Sequence, residues 1–347
     1  MALVLNQEQD MLRESALQFM KERAPVAQLR ALRDGRSEDG FAREAWASFA
    51  HMGFTGVLVP EAFGGLGLGM VETGAIMEAI GRNLTAVPFL STAVLGASLL
   101  ARHGSPAQKN ACLAALAGGE LLLALAVDES GKHRPEKVAL RAEPEGGGFV
   151  LRGEKVFVAD GHVADRLIVS ARTGEGITLF LVDGAAAGLR RERSLMVDAH
   201  NAARIGFDGV RVDGEAMIGA PGQGAALLDG VLDIGRAALA AELLGIAEEV
   251  FERTLSYLKE RRQFGQIIGE IQALQHRASM LYTDIEITRA LVLGAQQALD
   301  TGAANTAALV SAAKARAGAT ATTAVQECVQ IHGGIGMTDE LEIGFFM

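Results

Sequence analysis

The sequence predicts an α+β chain of three consecutive domains, helical, then β, then helical, and three observations carry that expectation. Apolar residues recur at helical spacing through the first third. Short alternating runs bounded by turn residues fill the middle. Helical spacing, now rich in small side chains, returns in the last third. The boundaries fall at residues 1–123, 124–222 and 223–347. A chain of 347 residues agrees with two or three units, at roughly 150 residues per domain.

The first domain opens on Asn6 with Gln9 three residues later, a capping-box pattern, followed by Leu12, Ala16, Phe19 and Met20 at helical spacing. Helical patterning continues to about Leu123. Residues 57–69, VLVPEAFGGLGLG, interrupt it, because proline and glycine disfavour helix there. In the middle domain, residues 149–151, 156–158, 167–169 and 177–182 read as strands. Ile205 with Phe207, and Val210 with Val212, add period-two alternation. After the break at residues 219–224, one apolar stripe runs through Leu239, Leu243, Ile246, Val250, Thr254 and Tyr257. A second follows at Leu274, Ala278, Leu281 and Ile285. Residues 303–329 are rich in Ala, Thr and Gly, which lets helices approach closely.

Composition bounds the function. Hydrophobic residues make up 49% and charged residues 21%, as in compact globular proteins. A net charge of -10 without a basic stripe argues against nucleic acid as a partner. Cys112 and Cys328 are too few for a disulfide framework, so they read as buried small hydrophobes in a reducing compartment, and the expected location is cytoplasmic. The longest apolar run, residues 121–127, is too short to span a membrane, and the start lacks a secretory pattern. His332 stands alone without metal-ligand spacing; a structural role is expected, and no metal.

Four stretches, in this order, resemble the acyl-CoA dehydrogenase family over nearly the whole chain: GGLGLG (64–69), GEKVFVADG (153–161), RRQFGQIIGEIQALQHR (261–277) and QIHGGIG (330–336). The resemblance implies an N-terminal helical domain, a central β-barrel-like domain and a C-terminal four-helix bundle. It also implies bound FAD, an acyl-CoA substrate and electrons passed to an electron-transfer flavoprotein. The implied assembly is a homodimer or homotetramer, with a heteromer open. Arg261, Gln263, Phe264 and Gln272 match positions that reach across a dimer interface toward the adenosine and pyrophosphate of FAD. A guanidinium suits a diphosphate, although a cation at a helix end is also favoured by the helix dipole alone. Gln330, Gly333 and Gly334, with Gly336, match the loop whose backbone amides approach the pyrophosphate; helix termination would equally demand such glycines. Phe157 matches the aromatic of the segment against the flavin face, whereas Ala159 stands where the family carries a threonine and lacks its hydroxyl, so that contact there would be through the backbone. Arg236 matches an arginine supporting the acyl end of the pocket, with an ion pair to Asp233 or Glu242 as the alternative.

Two regions depart from the family pattern. Where the family carries Thr-Glu-Pro-Gly-Ala-Gly-Ser-Asp, residues 127–133 read VDESGKH. Glu129 survives, and Asp128 puts an anion where a hydroxyl is usual, which would oppose negative charge on a reduced flavin. The catalytic residue is unassigned. The family's proton-abstracting glutamate would lie just beyond Met347 or, in some members, at the position of Gly235, which carries no carboxylate. Three readings stay open: an acyl-CoA dehydrogenase, a non-catalytic partner subunit of a heteromeric one, and a flavin monooxygenase or oxidase on the same scaffold.

Overall fold

The computed structural model describes residues 3–347. Helices α1 (Gln7–Arg23), α2 (Val26–Asp34), α3 (Arg43–His51), α4 (Met70–Asn83), α5 (Ala97–His103) and α6 (Pro106–Ala117) come first, with a π-helical segment at Phe89–Gly96. Strands β1 (Leu123–Ala126), β2 (Arg141–Glu145), β3 (Gly148–Ala159), β4 (Arg166–Thr173), β5 (Gly176–Asp183), β6 (Leu189–Leu195), β7 (Asn201–Asp213) and β8 (Met217–Ile218) follow. Helix α7 (Gly224–Glu260) leads through the hairpin β9 (Arg262–Gln263) and β10 (Gln266–Ile267) into α8 (Gln272–Thr301) and α9 (Thr306–His332). No helix among the described residues is long and apolar enough to cross a membrane.

Two compact units emerge, each discontinuous in sequence. One comprises Met1–Ala31, Gly69–Ala86 and Arg236–Met347; the other comprises Leu32–Leu68 and Val87–Gly235. In the first unit α1 starts as its sequence predicts, with Asn6 accepting the Gln9 N–H at 2.9 Å and the Gln9 side chain accepting the Asn6 N–H at 3.0 Å. Helices α4 and α7 cross at two glycines. A Cβ on Gly81 would stand 2.0 Å from the Glu242 carbonyl oxygen, and one on Gly245 2.1 Å from that of Glu78. No other residue fits so close a backbone approach. This crossing corrects the expected α7 stripe: Leu239, Leu243 and Ile246 are only half-buried, whereas Ala240, Ala241, Leu244 and Ala247 are buried. An enclosed helix selects small residues where backbones meet, so its buried surface exceeds one stripe.

The second unit carries an eight-stranded sheet in the order β6-β7-β3-β2-β4-β5-β8, with β1 parallel to β4. Leu151, Phe180, Ile205 and Phe207 belong to one core at this sheet, where Phe149 meets Phe180 edge-on at 5.1 Å. A second core joins Ile168, Leu179 and Ile218 to Leu99, Leu100, Leu113 and Leu116 of α5 and α6. The Gln108 side chain donates to the Glu215 and Met217 carbonyls at 2.8 and 2.9 Å, which fixes α6 to this sheet. Cys112 and Cys328 are buried and unpaired.

Candidate active site

Strand β3 breaks its ladder with β7 where the sequence predicts flavin contact. Lys155 pairs with Ile205 and Val158 with Ala203, so residues 156 and 157 oppose Arg204 alone. In this bulge Phe157 adopts a positive φ of 51° and stands 58% exposed, its ring free of the sheet core. Ala159, two residues on, is also exposed. A positive φ at a bulky residue is costly and persists only where its surroundings impose it.

The surroundings here are polar. Val156 N–H donates to the Asp128 carbonyl at 2.8 Å, and the next side chain back, Lys155, is fully buried. Its ammonium donates to the Val127 carbonyl at 3.1 Å, Glu129 Oε1 at 2.7 Å and Ser170 Oγ at 2.9 Å. Burial pulls the Lys155 pKa down, opposed by Glu129 and Asp128. Glu129 also accepts the Ala139 and Leu140 N–H groups at 2.6 and 3.0 Å. It is thus the partner of a buried lysine. The Asp128 carboxylate is likewise engaged, with His133 Nδ1 at 2.8 Å and the Arg134 N–H at 2.9 Å. Asp128 thus keeps a carboxylate at this position, with His133 and the Arg134 N–H as local hydrogen-bond partners.

At its far end β3 reaches Asp160, also at positive φ (54°), whose carboxylate accepts from Ser91 Oγ at 2.6 Å. Burial pushes the Asp160 pKa up. Ser91 lies on the π-helical segment, a helix form often found at functional sites. The same segment presents Leu95 to Gly235: a Cβ there would meet Leu95 Cδ2 at 2.7 Å.

The remaining predicted residues belong to the first unit. The β9–β10 hairpin turns on Phe264 and Gly265, with φ of 55° and 80°, the two positive values of a type I′ turn. This leaves Phe264 87% exposed at the tip, and Arg261, Gln263 and Gln272 are exposed around it. Gly333 caps α9 at φ 69°, and beside both Gly333 and Gly334 there is open space where a Cβ would stand. Helix termination and an approachable backbone therefore coexist, with Gln330 exposed one turn before. His332 stacks on Tyr257 at 4.4 Å and its Nδ1 meets the Cys328 carbonyl oxygen at 2.8 Å, the structural role its isolation suggests. Arg236 is half-buried on α7 and is not free of partners.

A cavity of about 310 Å³ also opens in the first unit, among α1, α4, α7 and α8, with Arg13, Glu78, Arg289 and Gln296 in its wall. It contains none of the predicted site residues. Next to it Glu248 contacts Arg289 and pairs with Arg82 at 3.1 Å.

Residues 6–120, 128–210 and 222–347 match, in turn, the N-terminal, middle and C-terminal domains of acyl-CoA dehydrogenases. The mitochondrial isovaleryl-CoA dehydrogenase of Pongo abelii is 31% identical across 99% of this chain and 84% of its own. The chain belongs to the acyl-CoA dehydrogenase family. Among solved structures, a variant of the Tcur3481-Tcur3483 steroid ACAD is 34% identical, with a TM-score of 0.88, covering 98% of this chain and 91% of that one. PigA, in a structure with FAD and proline, is 25% identical with a TM-score of 0.92, covering 100% of this chain and 92% of its own.

An acyl-CoA dehydrogenase is an oxidoreductase, and the three-domain α+β expectation holds. Sequence reasoning did not single out Lys155 or Ser91. Lysine inside a strand pattern was the available signal for the first, since an ammonium there needs a buried partner. Nothing in residues 89–96 distinguishes π from α winding.

Proposed function

We propose that this chain is an FAD-dependent subunit that carries out α,β-dehydrogenation of an acyl-CoA. One observation supports this most: in a chain matching the family end to end, Phe157, Phe264, Gly333 and Gly334 all stay open for contact. Those residues suit FAD. The exposed backbone at Gly334 and the Arg261 guanidinium fit a pyrophosphate, and the aromatic faces fit flat ring systems. When bound, FAD supplies the acceptor for the hydride leaving the substrate β-carbon. The chain's own task is to bind the thioester, exclude water and provide for removal of the α-proton. Gly235 cannot take that proton. Electrons would then leave for an electron-transfer flavoprotein. Two unpaired buried cysteines support a reducing compartment, in keeping with a cytoplasmic enzyme.

A second reading, a partner subunit in a heteromer, is favoured by the glycine at 235 and the altered 127–133 segment. The test is the visible spectrum of the purified protein, then anaerobic titration with short, long and polycyclic acyl-CoAs. Bound flavin that bleaches with at least one thioester supports dehydrogenation. Flavin without bleaching favours the partner subunit, and absence of both flavin and thioester binding overturns both readings.

A further inference from the structure

We infer that Lys155 and Glu129 are positioning residues that hold the Phe157 bulge and the 128–140 segment in flavin-ready form before the cofactor arrives. The inference deepens the proposed FAD site and rests on that reading.

An ammonium has three donors, and Lys155 spends them on the Val127 carbonyl, Glu129 and Ser170 Oγ, which lie on the chain just after β1, on the adjoining segment and on β4. Glu129 receives the ammonium and two backbone N–H groups, from Ala139 and Leu140. One ion pair therefore ties together the two ends of the 128–140 segment, whose first residues replace the family's flavin-binding stretch. Lys155 occupies the last regular pair before the bulge, opposite Ile205. With its side chain drawn inward, the next N–H, of Val156, turns to the Asp128 carbonyl rather than to β7, and Phe157 is left outside the ladder at positive φ. A merely stabilising pair has no need to sit there; burial of two charges is often no better for stability than an apolar pair. What such a pair supplies is one unique arrangement of backbone.

The test compares Lys155→Met with the double variant Lys155→Met/Glu129→Gln. The single variant leaves the half-buried Glu129 without its cation and should melt below the parent. The double variant removes both charges, keeps a carbonyl acceptor for one of the two amides at 139 and 140, and should recover part of the lost thermal stability. Both should bind FAD about 10- to 100-fold more weakly and show an altered flavin absorption band and reduction potential, as expected for a slightly misplaced contact surface. A double variant with the parent's FAD affinity, spectrum and potential overturns the inference. Hydrogen exchange on the unmodified chain decides the matter should the variants not fold. The Ala139, Leu140 and Val156 amides should be as protected without FAD as with it, and protection arising only on FAD binding overturns the inference. A parent that takes up no FAD at any concentration refutes instead the reading on which it rests.

Discussion

At Gly235 a single missing side chain bears on both packing and chemistry. The helix alone would welcome replacement, since glycine in a helix interior costs about 1 kcal/mol relative to alanine. The tertiary contact opposes it: a Cβ would press on Leu95 Cδ2 at 2.7 Å, so the π-helical segment must give. Only the end of a flexible side chain is met, and a rotamer change can relieve it. Gly235→Glu should therefore fold, with a loss of up to about 1–3 kcal/mol from overpacking. If FAD and thioester are bound, it should also speed flavin bleaching, because a general base contributes typically 10²–10⁴-fold. Calorimetry and anaerobic stopped-flow check the two parts. Rapid bleaching by the unmodified chain would reveal another base, and Asp160 would be the first carboxylate to replace.

Helix α4 shows why elements cannot be read one at a time. Its N-cap is Gly69, which has no side chain to offer, and the first free amides are capped from 230 residues away. Asp300, near the end of α8, accepts from the Met70 N–H at 2.6 Å and the Val71 N–H at 3.2 Å. Asp300→Ala should lower stability by about 1–2 kcal/mol, as loss of an N-cap does, and a chemical denaturation midpoint equal to the parent's would refute the capping role. Between α4, α7 and α8 lies the charged cluster of Glu78, Arg82, Glu248 and Arg289. Burial first, and then the Glu78 carboxylate, push the Glu248 pKa up to about 8, against Arg289 and Arg82. A folded-state pKa above the ordinary 4.5 means the folded chain holds a proton that the unfolded chain releases. That stability is complete below the ordinary value and is lost as pH rises through about 8. Melting temperature should accordingly fall as pH rises from about 4.5 to about 8 and level off above that, and Glu248→Gln should flatten the fall. Parallel curves for the two proteins would exclude Glu248 as its source.

For the molecule as a whole, Phe264 stands exposed at the hairpin tip, and the Arg261 and Gln272 side chains are exposed as well. If they complete a neighbouring subunit's FAD site, flavin content should follow assembly. Dilution that shifts the chain to monomer in analytical ultracentrifugation should release FAD in step, and Arg261→Ala should shift that release to higher protein concentration. FAD retained by a monomer would refute the cross-subunit role. Local chemistry made much of this protein legible from its sequence. The Asn6–Gln9 capping box, the strand alternation of the middle domain and the four ordered motifs depend on residues close along the chain, so the domain order and the family followed. Long-range contact decided the rest. The Lys155–Glu129 pair, the Asp300 cap, the Gly81–Gly245 crossing and the Leu95–Gly235 contact each join segments whose spacing carries no periodic signal, because each depends on where separate backbones meet and not on local preference.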